Sequence, residues 1–315
     1  MGRTSKDKRD IYYRKAKEEG WRARSAFKLL QIDEDFDVFT GVKRAVDLCA
    51  APGSWSQVLS RRLYLAQRGA TGVGAGEGGS SPEDGKSQDP VVVAVDLQPM
   101  APVEGVVQIQ GDITSAETAS EVIGHFAGEK ADLVVSDGAP DVTGLHDLDE
   151  FVQSQLILAA LTIVTHVLKS GGTFIAKVFR GKNVQLLYSQ LKMFFPLVTV
   201  TKPRSSRNAS IEAFVVCQGY SPPPGFEPEM LRRVLEGKIT LNSLGGGGGD
   251  SQSAKLVVPF VACGDLQGWD SEKTYQAAEV SAGQGGEGAV SLLPVQPPIA
   301  PPYKKALELI KHRRK

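Results

Sequence analysis

The sequence predicts an α/β fold, in which a Rossmann-like, doubly wound domain is built around a mostly parallel sheet of seven strands. Short β-branched runs alternate with longer stretches of helical periodicity up to about residue 217. The runs are almost continuously apolar, which is typical of strands buried on both faces. A tight, glycine-bearing turn follows the first run, and open α/β sheets bind their ligands at such a position.

Seven segments have the composition of strands, and two stretches between them carry apolar residues at helical intervals. We expect helices at residues 155–168 and 184–195, and we expect Gly171 and Gly172 to stop the first of them. The predicted strands are 45–49, 91–95, 106–110, 133–136, 173–178, 197–201 and 213–217.

The composition divides the chain into a predicted domain at residues 1–220 and a Pro/Gly-rich extension at 221–315. Residues 69–90 interrupt the domain with 22 residues that include seven glycines and little apolar surface. Such a segment cannot offset the entropy of ordering, so we expect a disordered surface insertion. In the extension, a segment near 256–270 has apolar side chains that could dock, among them Phe260 and Trp269.

Charge is balanced overall but not along the chain. There are 36 Lys and Arg against 36 Asp and Glu, while residues 1–28 are net +6 and residues 303–315 are net +5. Basic side chains near Tyr12, Tyr13 and Trp21 suit RNA, because they combine phosphate neutralisation with stacking surfaces. A solvated basic face is the alternative. The candidate RNA contacts are Arg22, Arg24, Lys202, Arg204 and Arg207.

The cysteines and histidines do not suggest a metal site. Cys49, Cys217 and Cys263 are far apart, and no Cys/His spacing of the kind that zinc requires occurs. No apolar run reaches the length of a membrane span, and the first residues are polar. We therefore expect a cytoplasmic protein with no metal and no membrane partner.

A cofactor pocket is predicted where the first strand runs into Gly53. Asp96 closes the next strand 43 residues later, or 21 once the insertion is subtracted. That spacing is close to the one that places a carboxylate on a ribose hydroxyl, and Asp112 follows the third strand. The dinucleotide fingerprint G-x-G-x-x-G is absent, and the carboxylate of Asp47 would repel phosphate, so S-adenosylmethionine (SAM) is favoured. The alternative is that Pro52-Gly53 is a simple turn.

Four charged residues are candidates for the reaction. Asp137 and Glu212 lie at predicted strand ends that face the same crevice, and Lys28 lies on the predicted amino-terminal helix. Lys177 lies within an apolar strand, where an ammonium is costly unless it is paired, so carboxylates are expected beside it. A structural network of ion pairs is the alternative interpretation.

These residues stand in motifs that resemble the FtsJ family of ribose 2′-O-methyltransferases. The resemblance spans roughly residues 1–220 and is carried by WRARSAFK at 21–28, DLCAAPGSW at 47–55, the loop around Asp137, Lys177 and Glu212. It implies the fold of a class I SAM-dependent methyltransferase and a catalytic tetrad of Lys28, Asp137, Lys177 and Glu212. It implies SAM contacts from Gly53, Trp55, Asp96, Asp112 and Asp137.

Within that family the chain looks like the eukaryotic cytosolic branch that modifies the tRNA anticodon loop at positions 32 and 34. The resemblance implies tRNA as a partner, a WD-repeat helper subunit for the wobble position and a helical-repeat helper subunit for position 32. It also makes Phe260 and Trp269 candidates for docking, although apolar side chains of an extension often pack on their own domain.

The resemblance implies that Lys177 accepts the proton of the ribose hydroxyl. A second ammonium about 5 Å away, at an effective dielectric of ~20, would destabilise the charged form of Lys177 by ~3 kcal/mol and so lower its pKa. The two carboxylates would raise that pKa again. We therefore hypothesise that Lys177 mainly stabilises the developing alkoxide and orients the hydroxyl.

Other functions stay open at this stage. The same tetrad would serve an rRNA or mRNA-cap ribose methyltransferase. A non-catalytic RNA-binding module with a relic SAM pocket is an alternative of another class, and an NAD-linked enzyme is disfavoured by the missing phosphate fingerprint.

Overall fold

A computed structural model describes residues 10–66, 91–140, 146–181, 184–228, 260–265, 267–269, 271 and 273. Its centre is a sheet in the order β3-β2-β1-β4-β5-β7-β6-β8. Strands β1 to β5 are parallel to one another, and β7 runs antiparallel between β5 and β6. The strands are β1 Arg44–Leu48, β2 Val91–Asp96, β3 Val106–Gln110, β4 Ala131–Ser136, β5 Leu168–Phe179, β6 Leu197–Pro203, β7 Glu212–Gln218 and β8 Phe260–Cys263.

The predicted doubly wound fold is confirmed, with one strand more than expected. The described sheet has eight strands instead of seven, because Phe260–Cys263 from the extension pairs parallel with β6. The main-chain N–H of Arg204 donates to the oxygen of Cys263 at 2.7 Å, and the Cys263 side chain is fully buried. Part of the extension is therefore an edge strand of the domain.

Helices cover both faces of the sheet. Val134 and Phe174 belong to an apolar core with the side chains of α4, α5 and α6, while Val135 and Ile175 belong to a second core with those of α1, α2 and α3. This alternation is the period of a buried strand. The helices are α1 Ile11–Glu18, α2 Ala26–Phe36, α3 Ser54–Leu59, α4 Ala116–His125, α5 His146–Val167 and α6 Val184–Lys192, and α3 continues as a π-helical turn over Ser60–Leu65.

Three predictions about helix boundaries are wrong. Helix α5 begins at His146, well before the predicted residue 155. Its first turns were not predicted because they expose the apolar side chain of Phe151 and so lack the periodicity of a buried face. It ends at Val167, and β5 begins directly at Leu168, so the Gly171-Gly172 pair lies inside a bulged strand and not at the helix end. Helix α6 ends at Lys192 instead of residue 195.

Among the described residues, one helix has the length and hydropathy of a membrane span, at Leu148–Val167 within α5. It packs against β4 and β5 as a core helix of the domain, and most of it is buried. The predicted insertion at 69–90, the glycine run at 245–249 and the proline-rich stretch at 294–302 lie outside the described residues.

Candidate active site

The turn after β1 brings the chain into an unusual backbone conformation. Cys49 and Gly53 have φ values of +55° and +101°, and the N–H of Gly53 donates to the Ala50 oxygen at 2.7 Å. A Cβ at residue 53 would lie 2.5 Å from Nη1 of Arg22, so the turn requires glycine on two grounds. Helix α3 begins directly behind it, at Ser54.

A cavity of about 610 Å³ opens beside this turn, at the carboxyl ends of β1 to β4. The predicted Asp96, Asp112 and Asp137 all line it, whereas Gly53 and Trp55 do not. The remaining lining residues are Cys49, Ala51, Pro52, Leu97, Gln98, Gly111, Ile113, Thr114, Gly138, Ala139 and Leu156.

The carboxylates of this cavity are held in place by the main chain. Asp96 accepts hydrogen bonds from the N–H groups of Ala51 and Gln98 at 2.9 and 2.8 Å. Asp112 accepts from the N–H and the hydroxyl of Thr114, both at 2.8 Å. Three carboxylates line the cavity and no basic side chain does. Such a lining disfavours a pyrophosphate and fits the positive charge and the ribose hydroxyls of SAM.

Asp47 lies deeper, beside a smaller cavity of about 40 Å³ that Trp55 and Asp137 also line. Its side chain is only 1% exposed, and the Ser56 hydroxyl donates to Oδ2 at 2.6 Å. Oδ1 has no hydrogen-bond partner among the described residues. Burial raises the pKa of Asp47 to about 7, although the Ser56 hydrogen bond opposes this shift.

Trp55 is a core residue that reaches the site only at its edge. The indole N–H donates to the Ser25 oxygen at 2.9 Å, and the ring lies 5.6 Å from that of Phe214. It lines the smaller cavity and not the larger one, and its predicted contact with SAM stays a prediction. The predicted contact of Gly53 is not placed at either cavity.

The four predicted tetrad residues lie together. Nζ of Lys177 is 2.7 Å from both Oδ1 and the main-chain oxygen of Asp137. Oε2 of Glu212 is 2.7 Å from Nζ of Lys28 and 3.9 Å from Nζ of Lys177. Both lysines are buried, as expected for ammonium groups that are paired with carboxylates.

The electrostatics keep this cluster ionised. Burial lowers the pKa of Lys177, but the carboxylates of Asp137 and Glu212 raise it by more, so the net pKa lies above its ordinary value. Burial raises the pKa of Glu212, but Lys28 and Lys177 lower it by more, to about 2. Lys177 therefore rests as an ammonium at neutral pH.

Ser206 belongs to the site but was not among the predicted site residues. Its hydroxyl donates to Oε1 of Glu212 at 2.9 Å, so both oxygens of that carboxylate are engaged. Ser206 is buried in the loop between β6 and β7. The sequence signal that could have found it is its position between the candidate RNA contacts Arg204 and Arg207, six residues before Glu212.

The two predicted RNA contacts near the amino terminus are engaged with the protein itself. The Arg22 guanidinium donates to the main-chain oxygens of Pro52 and Pro102 at 2.9 and 2.7 Å. Arg24 pairs with the Asp10 carboxylate and donates to the main-chain oxygen of Ser205. Arg22 thus links the turn after β1 to the segment before β3, and Arg24 links the start of α1 to the loop after β6. Their predicted contact with RNA stays a prediction.

The other three RNA candidates lie around the loop that carries Ser206. Lys202 donates to the main-chain oxygen of Ser210 at 2.6 Å, and Arg204 is half-buried beside β8. The Arg207 side chain is 48% exposed, with Nη2 3.4 Å from Asp10 Oδ2. Arg207 is the most exposed of these three candidates.

Among the described residues, no group of three or more His, Cys, Asp or Glu side chains could hold a metal ion.

The strand order, the antiparallel β7 and a carboxylate-lined cavity at the β1 turn define a SAM-dependent methyltransferase of class I. The FtsJ-like methyltransferase model matches residues 21–220, which is more than half of the chain. The chain belongs to the FtsJ-like methyltransferase family, as the resemblance implied.

Similarity to named relatives extends beyond residues 21–220, over nearly the whole chain. It is 58% identical to the tRNA (cytidine(32)/guanosine(34)-2′-O)-methyltransferase of Mus musculus, over 99% of this chain and 87% of that protein. It is 52% identical to the protein of the same name from Schizosaccharomyces pombe, over 100% and 99% of the two chains. A crystal structure of a ribosomal RNA methyltransferase from Plasmodium falciparum superposes with a TM-score of 0.53 at 24% identity, covering 64% of this chain and 100% of that one, and shares the fold.

Proposed function

We propose that this protein methylates ribose 2′-hydroxyls at positions 32 and 34 of the tRNA anticodon loop. The observation that carries the proposal is the 52–58% identity, over nearly the whole chain, to methyltransferases named for these two positions. The convergence of Lys28, Asp137, Lys177 and Glu212 beside the cavity supports the reaction type.

The residues of the site suit methyl transfer to a sugar oxygen. When bound, SAM supplies an electrophilic methyl group on a sulfonium. Asp96 and Asp112 would hold the cofactor through its hydroxyl and amino groups, and Asp137 lies between the cavity and Lys177. A ribose hydroxyl that approaches Lys177 would meet an ammonium that orients it and stabilises negative charge on its oxygen. Because Lys177 is already protonated, the hydroxyl proton would pass to solvent water as the new bond to the oxygen forms.

The charge around the site suits RNA. Arg207 and Lys202 lie in the loop and strand that lead to Glu212, and Arg24 joins this loop to α1. A tRNA backbone that crossed this face would bring a ribose within reach of the tetrad, with phosphates near these cations.

The same proposal includes two helper subunits and a cytoplasmic location. A WD-repeat subunit would direct the enzyme to position 34 and a helical-repeat subunit to position 32. Exposed apolar side chains on α5 and α6 support a protein partner: Leu148, Phe151, Val152 and Leu186 are exposed, and Phe151 and Leu186 line the same cavity. The three free cysteines suit a reducing compartment. Co-purification from cells and microscopy of a tagged chain test these two points.

The decisive experiment maps methylation. The purified protein is incubated with SAM and tRNA, rRNA or capped transcripts, and 2′-O-methyl groups are located by mass spectrometry, with a Lys177→Ala variant as control. We expect methylation of tRNA at positions 32 and 34 once candidate helper subunits are supplied. Methylation confined to rRNA or caps would replace the proposal with one of those functions, and SAM binding without any transfer would indicate a relic pocket.

A further inference from the structure

The catalytic pair Asp137 and Lys177 lies at the point where two parallel strands separate. The last paired residues of β4 and β5 are Ser136 and Ala176, and the next residue of each chain is a member of the pair. The β4–β5 ladder therefore ends one residue before the pair, while Lys177 itself remains paired with Phe214 of β7. A further link between the Asp137 segment and β5 at this point would fix Asp137 relative to Lys177.

Gln153 provides this link. It lies on α5, its side chain is 2% exposed, and Nε2 donates to the Lys177 oxygen at 2.8 Å and to the Gly138 oxygen at 3.1 Å. Both acceptors are main-chain carbonyls, which fixes the amide with its nitrogen toward the gap. One side chain thus links, by two hydrogen bonds, the segment that follows β4 to β5, where these two strands are no longer paired.

We propose that Gln153 is a positioning residue for methyl transfer. By tying the main chain of Lys177 to that of Gly138, it sets the gap across which Lys177 Nζ reaches Oδ1 and the main-chain oxygen of Asp137, both at 2.7 Å. This inference rests on the proposed function, because it assigns the gap a role in that reaction. Gln153 lies on the helix that covers one face of the sheet, whereas Lys28 lies on α2, which covers the opposite face.

The first test replaces Gln153 with methionine, which keeps the length of the side chain and removes the donor. Thr162→Val is the matched control, because Thr162 is buried on the same helix and donates within it, to the Leu158 oxygen at 3.0 Å. We expect kcat on tRNA to fall about 10- to 100-fold for Gln153→Met, with little change in KM, and to stay at the wild-type level for Thr162→Val. Circular dichroism verifies that both variants are folded.

A second variant gives a signature that a purely structural role would not produce. In Gln153→Glu, the ionised carboxylate faces two carbonyl oxygens and repels them, whereas the protonated acid can donate to one of them. The ratio of the variant's kcat to that of the wild type should therefore rise as the pH is lowered from about 9 to about 6.

The outcomes separate this inference from the proposed function. A Gln153→Met variant with wild-type kcat, beside an inactive Lys177→Ala variant, would overturn the positioning role alone, as would a ratio for Gln153→Glu that is independent of pH. A wild-type protein that transfers no methyl group to tRNA even with the candidate helper subunits present would overturn the proposed function and this inference together.

Discussion

Oε2 of Glu212 lies 2.7 Å from Nζ of Lys28, although 184 positions separate the two residues in the chain. Lys28 lies on α2 and Glu212 is the first residue of β7, so the contact joins the second helix to the antiparallel strand of the sheet. The same oxygen is 3.9 Å from Lys177. One carboxylate therefore balances two buried ammonium groups that would otherwise repel each other.

Glu212→Gln should abolish most activity and destabilise the fold. The ammonium groups of Lys28 and Lys177 would lose their shared counter-charge while the structure still buries them. We expect a loss on the order of 3 kcal/mol in the free energy of unfolding at pH 7, measured with urea. A variant as stable as the wild type would show that the ion pairs contribute no net stability.

The sign of the pH effect follows from the lowered pKa of Glu212. In the folded protein this pKa is about 2, against an ordinary value of 4.5. The stabilisation is thus complete above about pH 4.5 and is lost as the pH falls towards 2. Glu212→Gln should remove this part of the acid sensitivity, which unfolding curves between pH 2 and 5 will measure.

Lys177→Arg should retain more activity than Lys177→Met. Because the carboxylates of Asp137 and Glu212 raise the pKa of Lys177 above its ordinary value, its main role at neutral pH is that of a cation. Arginine keeps the charge, although its planar group cannot reproduce both 2.7 Å contacts with Asp137. Single-turnover rates with saturating SAM measure the effect. Equal inactivity of the two variants would instead favour Lys177 as an essential proton acceptor.

Much of the site was predictable because its residues follow strands. Asp96 ends β2 and Asp137 follows β4, and the carboxyl ends of parallel strands meet at one edge of the sheet. Lys177 was predictable for a different reason, since a charge within an apolar strand has to be paired. The confirmed fold rests on the same alternation of apolar strands and helices.

The remaining features depend on contacts between distant segments. Strand β8 has four residues in a region rich in glycine and proline, and only its pairing with β6 makes it a strand. Gln153 is one polar residue in an apolar helix, and its role comes from the place where β4 and β5 diverge. Periodicity reports which face of an element is buried, not which carbonyl lies opposite it.

Asp47→Asn should flatten the dependence of stability on pH near neutrality. Burial raises the pKa of Asp47 from 3.8 to about 7, so between these values the folded state binds more protons than the unfolded state. The free energy of unfolding of the wild type therefore falls as the pH rises from about 4 to about 7. Urea unfolding at four or more pH values measures the slope, which the variant should lack.

Asp132→Asn is the matched control for Asp47→Asn. Burial raises the pKa of Asp132, but Lys169 and the N–H groups of Lys43 and Arg44 lower it by more. Its stabilisation is present above its ordinary pKa and is lost at acid pH, so this variant should change the slope only below about pH 4. An unchanged slope near neutrality in Asp47→Asn would show that Asp47 is ionised in the folded protein.

Arg207→Ala should weaken tRNA binding and its dependence on salt. Arg207 is the most exposed of the five predicted RNA contacts, and 48% of its side chain is accessible to solvent. Removing one phosphate contact should lower the slope of log K against log salt by about 1. Lys192→Ala, at the carboxyl end of α6, is the control and should leave the slope unchanged. Filter binding at several salt concentrations measures both, and equal slopes would contradict a phosphate contact by Arg207.

Tyr12→Phe and Trp269→Ala should separate self-packing of the extension from docking to a partner. The Tyr12 hydroxyl donates to the main-chain oxygen of Trp269 at 2.9 Å, and the indole lies 5.6 Å from Nζ of Lys15 with 42% of the residue exposed. Tyr12→Phe removes the hydrogen bond and should cost about 1 kcal/mol of folding free energy, and it should leave capture of the proposed WD-repeat subunit unchanged. Trp269→Ala keeps that bond, so it should cost less stability but reduce capture, because the exposed ring is the part that a partner could cover. Urea unfolding and co-purification measure the two effects. If Trp269→Ala lowers stability and leaves capture unchanged, the ring serves only to pack the extension onto α1.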